Sequence, residues 1–150
     1  MTRVVVIREI RAPIDFVFRS ISNISQLPQT VPEIEKVEFL SENQSGIGTR
    51  FRETRLINGK ESITDLEVTE YAQNEYIRMK ADSHGIVWDS LFKVEKAGEF
   101  TQLTLTMDAK AQQLLPKLLN PLMKRMYKRG LEKHVDALKS YCEMNFGTSG

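Results

Sequence analysis

From about Glu33 to Lys110 the apolar side chains recur at every second position, and most of the interruptions between these runs are only a few residues long. That combination leaves little choice of topology. A chain that reverses within a few residues lays its next strand antiparallel beside the last, because a parallel neighbour needs a crossover of about a dozen residues or more. The segments predicted as strands are 37–40, 49–57, 62–71, 76–81, 86–94 and 101–109, a meander of six. Asn58-Gly59 is a strong hairpin signal, since both residues tolerate the positive φ that a tight turn demands. Gln73-Asn74, Ser83-His84-Gly85 and Ala97-Gly98 supply turn chemistry to the other links.

The last strand alternates most cleanly. Leu103, Leu105, Met107 and Ala109 take one face, and Gln102, Thr104, Thr106 and Asp108 take the other, which predicts one face on a core and one in water. Around Arg50 to Arg55 the pattern is mixed, because Phe51 shares its face with Glu53 and Arg55. Either a bulge shifts the register there or polar groups enter the interior.

Before the meander, residues 3–10 are rich in β-branched side chains and predict one more strand, ended by Ala12-Pro13. Pro13 suits the start of a helix, and Ile14, Val17, Phe18 and Ile21 follow at helical spacing. Asn23 with Gln26 has the spacing of a capping box ahead of a second short helix near Leu27-Pro28. After Lys110 the helical period returns and lasts to about Met144, with Asn120-Pro121 as N-cap and first-turn proline of the main helix. A polar tail, 147–150, is expected to be disordered, leaving a single domain over 1–146.

On this final helix Leu122, Met123, Met126, Tyr127, Leu131, Val135, Leu138, Tyr141 and Cys142 fall on one broad half. Lys124, Arg125, Lys128, Arg129, Glu132, Asp136 and Lys139 fall on the other. Gly130 and His134 interrupt the apolar half; a helical glycine costs about 1 kcal/mol against alanine, so close approach or open space is expected there. One long helix covers an antiparallel sheet only if the sheet curls around it, with the two short helices closing one end. Such a curl encloses more space than its own side chains readily fill. "LLPKLLNPLMKRM", Leu114 to Met126, offers flexible Leu and Met side chains to line it, and Pro116 and Pro121 mark where helical bonding is interrupted and opening is easiest.

Totals exclude several classes. The 150 residues carry 27% charged side chains with a formal net charge of +1, which does not suggest a DNA binder. One cysteine forms no internal disulfide, and two histidines do not build a structural zinc site, so neither a metal nor another cofactor is expected, and a reducing, cytoplasmic setting is. No apolar run approaches the length of a membrane span.

The stretches "IRAPIDFVF", "ISNISQLPQTVPEIEKVEFL", "GIGTRFRE", "LEVTEY" and "LEKHVDALKSYCE" resemble the START-like superfamily (SRPBCC, Bet v 1-like), in particular its polyketide cyclase/dehydrase and lipid transport group. The resemblance implies an α+β helix-grip fold: a curved seven-stranded antiparallel sheet around a long C-terminal helix, with two short helices after strand 1, enclosing an apolar cavity. It spans lipid and sterol carriers, quinone-binding proteins, ring-closing enzymes and a ribosome-directed toxin, so fold alone does not choose the activity.

The function expected is binding of a hydrophobic small molecule (lipid, quinone or polyketide-like) for transport or sequestration, by a monomer or weak homodimer. Phe51, Met79, Trp88, Phe92, Leu105 and Met107 are the expected sheet wall, and Leu118, Leu119, Leu122, Met123 and Met126 the helix wall, with Tyr127 and His134 orienting the ligand. No catalytic residue is assigned. For His134 two alternatives stand: a neutral imidazole that orients a ligand or acts as acid and base, or a ring snorkelling to the edge or bonded to a backbone carbonyl. Tyr127 and Tyr141 are ligand contacts or plain core aromatics. Glu53, Arg55, Asp65 and Glu67 either bring charge inside or pair across strands. Asp82-Ser83-His84 cannot converge on one atom and is turn chemistry. The basic run Lys117, Lys124, Arg125, Lys128, Arg129 and Lys133 is a solvated face, or a patch for an anionic membrane or ribosomal RNA. A cyclase or dehydratase using the same cavity is the enzymatic alternative.

Overall fold

The computed structural model of the chain describes residues 2–83, 85–111 and 121–146. Strand β1 (Thr2–Ile10) leads through Pro13 into helix α1 (Ile14–Ser22), a 3-10 turn (Ile24–Gln26) and the single-turn α2 (Leu27–Thr30). The meander follows as β2 (Ile34–Phe39), β3 (Arg50–Ile57), β4 (Lys60–Ala72), β5 (Tyr76–Ser83), β6 (Ile86–Ala97) and β7 (Phe100–Ala111), and α3 (Pro121–Asn145) comes last. All seven strands form one antiparallel sheet in the order β1-β7-β6-β5-β4-β3-β2. The chain has the helix-grip arrangement: a seven-stranded sheet, a long C-terminal helix and two short helices after the first strand.

Turn chemistry acts where the sequence places it. Asn58 (φ 52°) and Gly59 (φ 78°) both sit in the left-handed region between β3 and β4, the geometry that matches a two-residue hairpin to the twist of its strands. Register shifts at Ile34/Lys36 in β2 and Val68/Glu70 in β4 add local bends. The Asn23 capping box does not form. Asn23 leaves the helical path at φ −80°, ψ 90°, and its Oδ1 accepts from Ser25 Oγ at 2.8 Å, so the 3-10 turn that starts after it has no side-chain cap.

Inner-face residues pair across the sheet in rows: Ile77, Phe92, Leu105 and Val6 in one, Met79, Ser90, Met107 and Val4 in the next, Ala81, Trp88 and Ala109 in a third. The first row belongs to a packed core with Val17, Phe18, Ile21 and Ile24 from the helical connection and Val135, Leu138 and Cys142 from α3. Burying each such aliphatic side chain contributes about 1.5–3 kcal/mol. Arg8 of β1 then ties α3 down, donating to Asp136 at 2.8 Å and Glu132 at 3.3 Å. The outer face is laced by cross-strand ion pairs. Arg3 grips Asp108 at 2.8 and 3.0 Å, and Arg78 grips Asp89 at 2.9 and 3.0 Å; these pairs explain why two outward carboxylates are largely buried.

Candidate functional site

The third row differs from the first in what it lacks. Trp88 is flanked across its two neighbouring strands by Ala81 and Ala109, so the sheet offers one large ring between two small side chains. Ala81, Ala109, Ile86 and Met107 are buried but stand outside the packed core cluster. On α3 the residues that share this side by helical spacing are Met123, Tyr127, Gly130 and His134. Tyr127 meets Trp88 edge to face at 4.8 Å between ring centres. A Cβ placed on Gly130 would meet nothing within 4 Å, so the glycine leaves open space and does not mark a close approach. Small residues on the sheet thus border an apolar strip, and Gly130 itself is exposed.

A polar cluster joins β3 to the middle of α3. Arg55 on β3 donates through Nε to Glu53, through Nη1 to Glu33 at 3.1 Å, and through Nη2 to Nδ1 of His134 at 3.0 Å. Lys133 adds a longer contact to Glu33 at 3.7 Å. A guanidinium has only donors, so His134 Nδ1 must be the unprotonated acceptor and the proton sits on Nε2. Nε2 has no hydrogen-bond partner among the described residues. Burial first, and the Arg55 charge second, push the His134 pKa down to about 3, so the ring is neutral at physiological pH. The His134 and Phe92 ring centres are 5.9 Å apart, the rings tilted by 48°. Two carboxylates balance Arg55 and Lys133, which leaves the cluster with no surplus charge.

The expected site residues therefore divide. Met79, Phe92 and Met107 are buried on the inner face, and Trp88, Met123, Tyr127 and His134 are partly buried. Phe51 and Leu105 are enclosed in the core, at 0% and 1% exposure. Leu122 and Met126 do not lie against the sheet: they are 67% and 58% exposed. The apolar half of the helix is wider than the stripe the sheet can cover, and Leu122 lies roughly 120° round the helix from His134. Leu118, Leu119, Pro116, Lys117, Asn120 and the tail 147–150 lie outside the described residues, as does His84.

Of the four charged residues weighed on β3 and β4, Glu53 and Arg55 turn inward while Asp65 pairs outside with Arg52 at 2.7 Å and Glu67 sits 4.0 Å from Arg50. The mixed pattern of β3 thus brings polar groups inside. Tyr141 packs on Phe16, ring centres 6.3 Å apart, as a core-edge aromatic. Sequence reasoning missed Ala81, Ile86 and Ala109 as wall residues and Glu33 as a member of the cluster. The alanines' place in the alternating pattern was a usable signal, whereas nothing local pointed to Glu33. Two open surface depressions, one beside Arg11, Phe100 and Phe146 and one beside Glu70, Tyr76 and Arg78, do not border Trp88 or His134.

The family model for polyketide cyclase/dehydrase and lipid transport matches residues 1–143. The chain belongs to this family. Solved structures with the same fold include Ara h 8.0201 (16% identity, TM-score 0.80, 96% of this chain and 99% of that one). A START superfamily protein from Mycobacterium smegmatis matches at 20% identity and TM-score 0.78, over 95% of this chain and 97% of that one. The Zhui aromatase/cyclase from Streptomyces sp. R1128 matches at 19% identity and TM-score 0.78, over 99% and 98%. No curated protein matches the chain by sequence. Among the described residues no helix is long and apolar enough to cross a membrane.

Proposed function

We propose that the chain binds a hydrophobic small molecule between the Trp88 end of the sheet and the first half of α3, for transport or sequestration. One observation carries this: Ala81 and Ala109 set small side chains on either side of Trp88 in an apolar strip of the sheet, and the packed core cluster does not include them. Trp88, Met79, Phe92, Met107, Met123 and Tyr127 supply the apolar contact, and burial of ligand surface supplies affinity at about 25 cal/mol per Å², before ordering costs. His134 supplies direction. Its Nε2–H is a donor held in one tautomer, so it favours a ligand with a neutral acceptor such as a carbonyl or ether oxygen. The charge-balanced cluster behind it has no surplus positive charge for a carboxylate.

Catalysis through His134 is the weaker alternative. A general acid or base works best with a pKa near the operating pH, and a ring neutral down to about pH 3 is a poor proton carrier at pH 7. A family name that joins cyclase and dehydrase to lipid transport is compatible with either activity.

The test is native mass spectrometry after incubation with a total lipid extract. A retained neutral compound at one per chain, lost when Ala109→Leu fills the strip, is the expected result. Retention of nothing, or retention unchanged in the filled variant, contradicts it.

A further inference from the structure

The first ten residues of α3, Pro121 to Gly130, carry Lys124, Arg125, Lys128 and Arg129 and no acidic residue. All four basic side chains are exposed, and among the described residues none of them pairs with a carboxylate. The next acids along the helix are committed elsewhere: Glu132 and Asp136 turn to Arg8 of β1. Beside this charge stand two large apolar side chains that the fold leaves in water, Leu122 and Met126, one turn apart. With roughly 100° per residue, Arg125 and Arg129 lie close beside them on the same side of the helix. Exposed apolar groups flanked by unpaired cations have the composition of a helix that rests on a bilayer surface, the apolar side chains entering the headgroup boundary and the cations meeting lipid phosphates.

We infer that this face of α3 docks on an anionic lipid bilayer. RNA fits it less well, because the strip has no exposed aromatic ring on which a base would stack; Tyr127 is engaged with Trp88. Docking goes beyond the small-molecule site and stands without it. It would hold the first turns of α3, which carry Met123 and Tyr127 on another side, at the membrane, a source or acceptor of apolar molecules.

The experiment is co-sedimentation of the ligand-free chain with phosphatidylcholine vesicles, with or without phosphatidylserine. Binding to the serine-containing vesicles, weakened by salt, is expected. Each basic residue near the surface should change partitioning about fivefold, so Arg125→Gln/Arg129→Gln should weaken it on the order of 25-fold. Leu122→Ser/Met126→Ser should weaken what survives at high salt. These positions are exposed, so the variants should keep the melting temperature of the parent. Equal binding to neutral vesicles, no vesicle binding, or tighter binding to a single-stranded RNA of matched charge overturns the inference. Ligand retention is measured without vesicles, so either proposal can fail without the other.

Discussion

Arg55 Nη2 lies 3.0 Å from His134 Nδ1, joining residues 79 positions apart and fixing which ring nitrogen carries the proton. The same guanidinium holds Glu53 and Glu33, so β3, the loop before β2 and the middle of α3 meet at one side chain. A ring kept neutral by this arrangement couples folding to pH.

The sign follows from where the protons bind. An unfolded histidine titrates near 6.5 and the folded one near 3, so between these values the unfolded chain holds more protons. The stabilisation is complete above about pH 6.5 and is lost progressively as pH falls toward 3, with an upper bound of about 5 kcal/mol. Arg55 faces the ring as a cation, Glu53 and Glu33 pair with Arg55, and Lys133 contacts Glu33. Urea midpoints from pH 7 to pH 4 should fall less steeply in His134→Gln than in the parent. An unchanged slope rules out a buried neutral ring.

Two glycines should respond to alanine with opposite signs. Gly59 has φ 78° and Gly130 is helical, and an added Cβ meets nothing within 4 Å at either. Gly59→Ala should therefore destabilise by about 1 kcal/mol through backbone strain alone, and Gly130→Ala should stabilise by about 1 kcal/mol through helix propensity. Thermal melts of the two variants check the pair.

Two leucines on α3 separate its packed half from its open half. Leu138 is 1% exposed and Leu122 is 67% exposed. Leu138→Ala should cost about 2–5 kcal/mol, while Leu122→Ala should stay within about 0.5 kcal/mol. Equal losses in chemical denaturation would mean that the whole apolar half of the helix is packed.

Cys142 is fully buried, with its Sγ 3.0 Å from Ser20 Oγ, and burial raises its pKa to about 11. Since the thiolate is the nucleophile, a disulfide reagent at pH 8 should label the native chain only at the rate of global unfolding and label it promptly in urea. Prompt labelling of the native chain would show that the α1–α3 contact opens readily.

The strands and the long helix were legible because their signals are periodic and local: the alternation of β7, the Asn58-Gly59 turn, the first-turn Pro121. What was illegible depends on distance in sequence. Arg55 and His134 each drew notice, one for sharing a face with Phe51 and one for breaking an apolar half, yet no local rule joins them. Glu33 carried no signal at all. Helical spacing placed Leu122 and Met126 with the apolar half, but spacing gives direction around an axis and not how far the sheet reaches. That limit is set by Arg8 and the α1 contacts that position α3.

The chain has one tryptophan, and it stands in the proposed site. Energy transfer from Trp88 to N-phenyl-1-naphthylamine, a neutral apolar fluorophore, therefore reports occupancy directly. A saturable one-to-one titration, abolished by Ala109→Leu in a variant that melts like the parent, is the predicted result; transfer that rises without saturating, or that is indifferent to the substitution, would contradict an apolar binding site between Trp88 and α3.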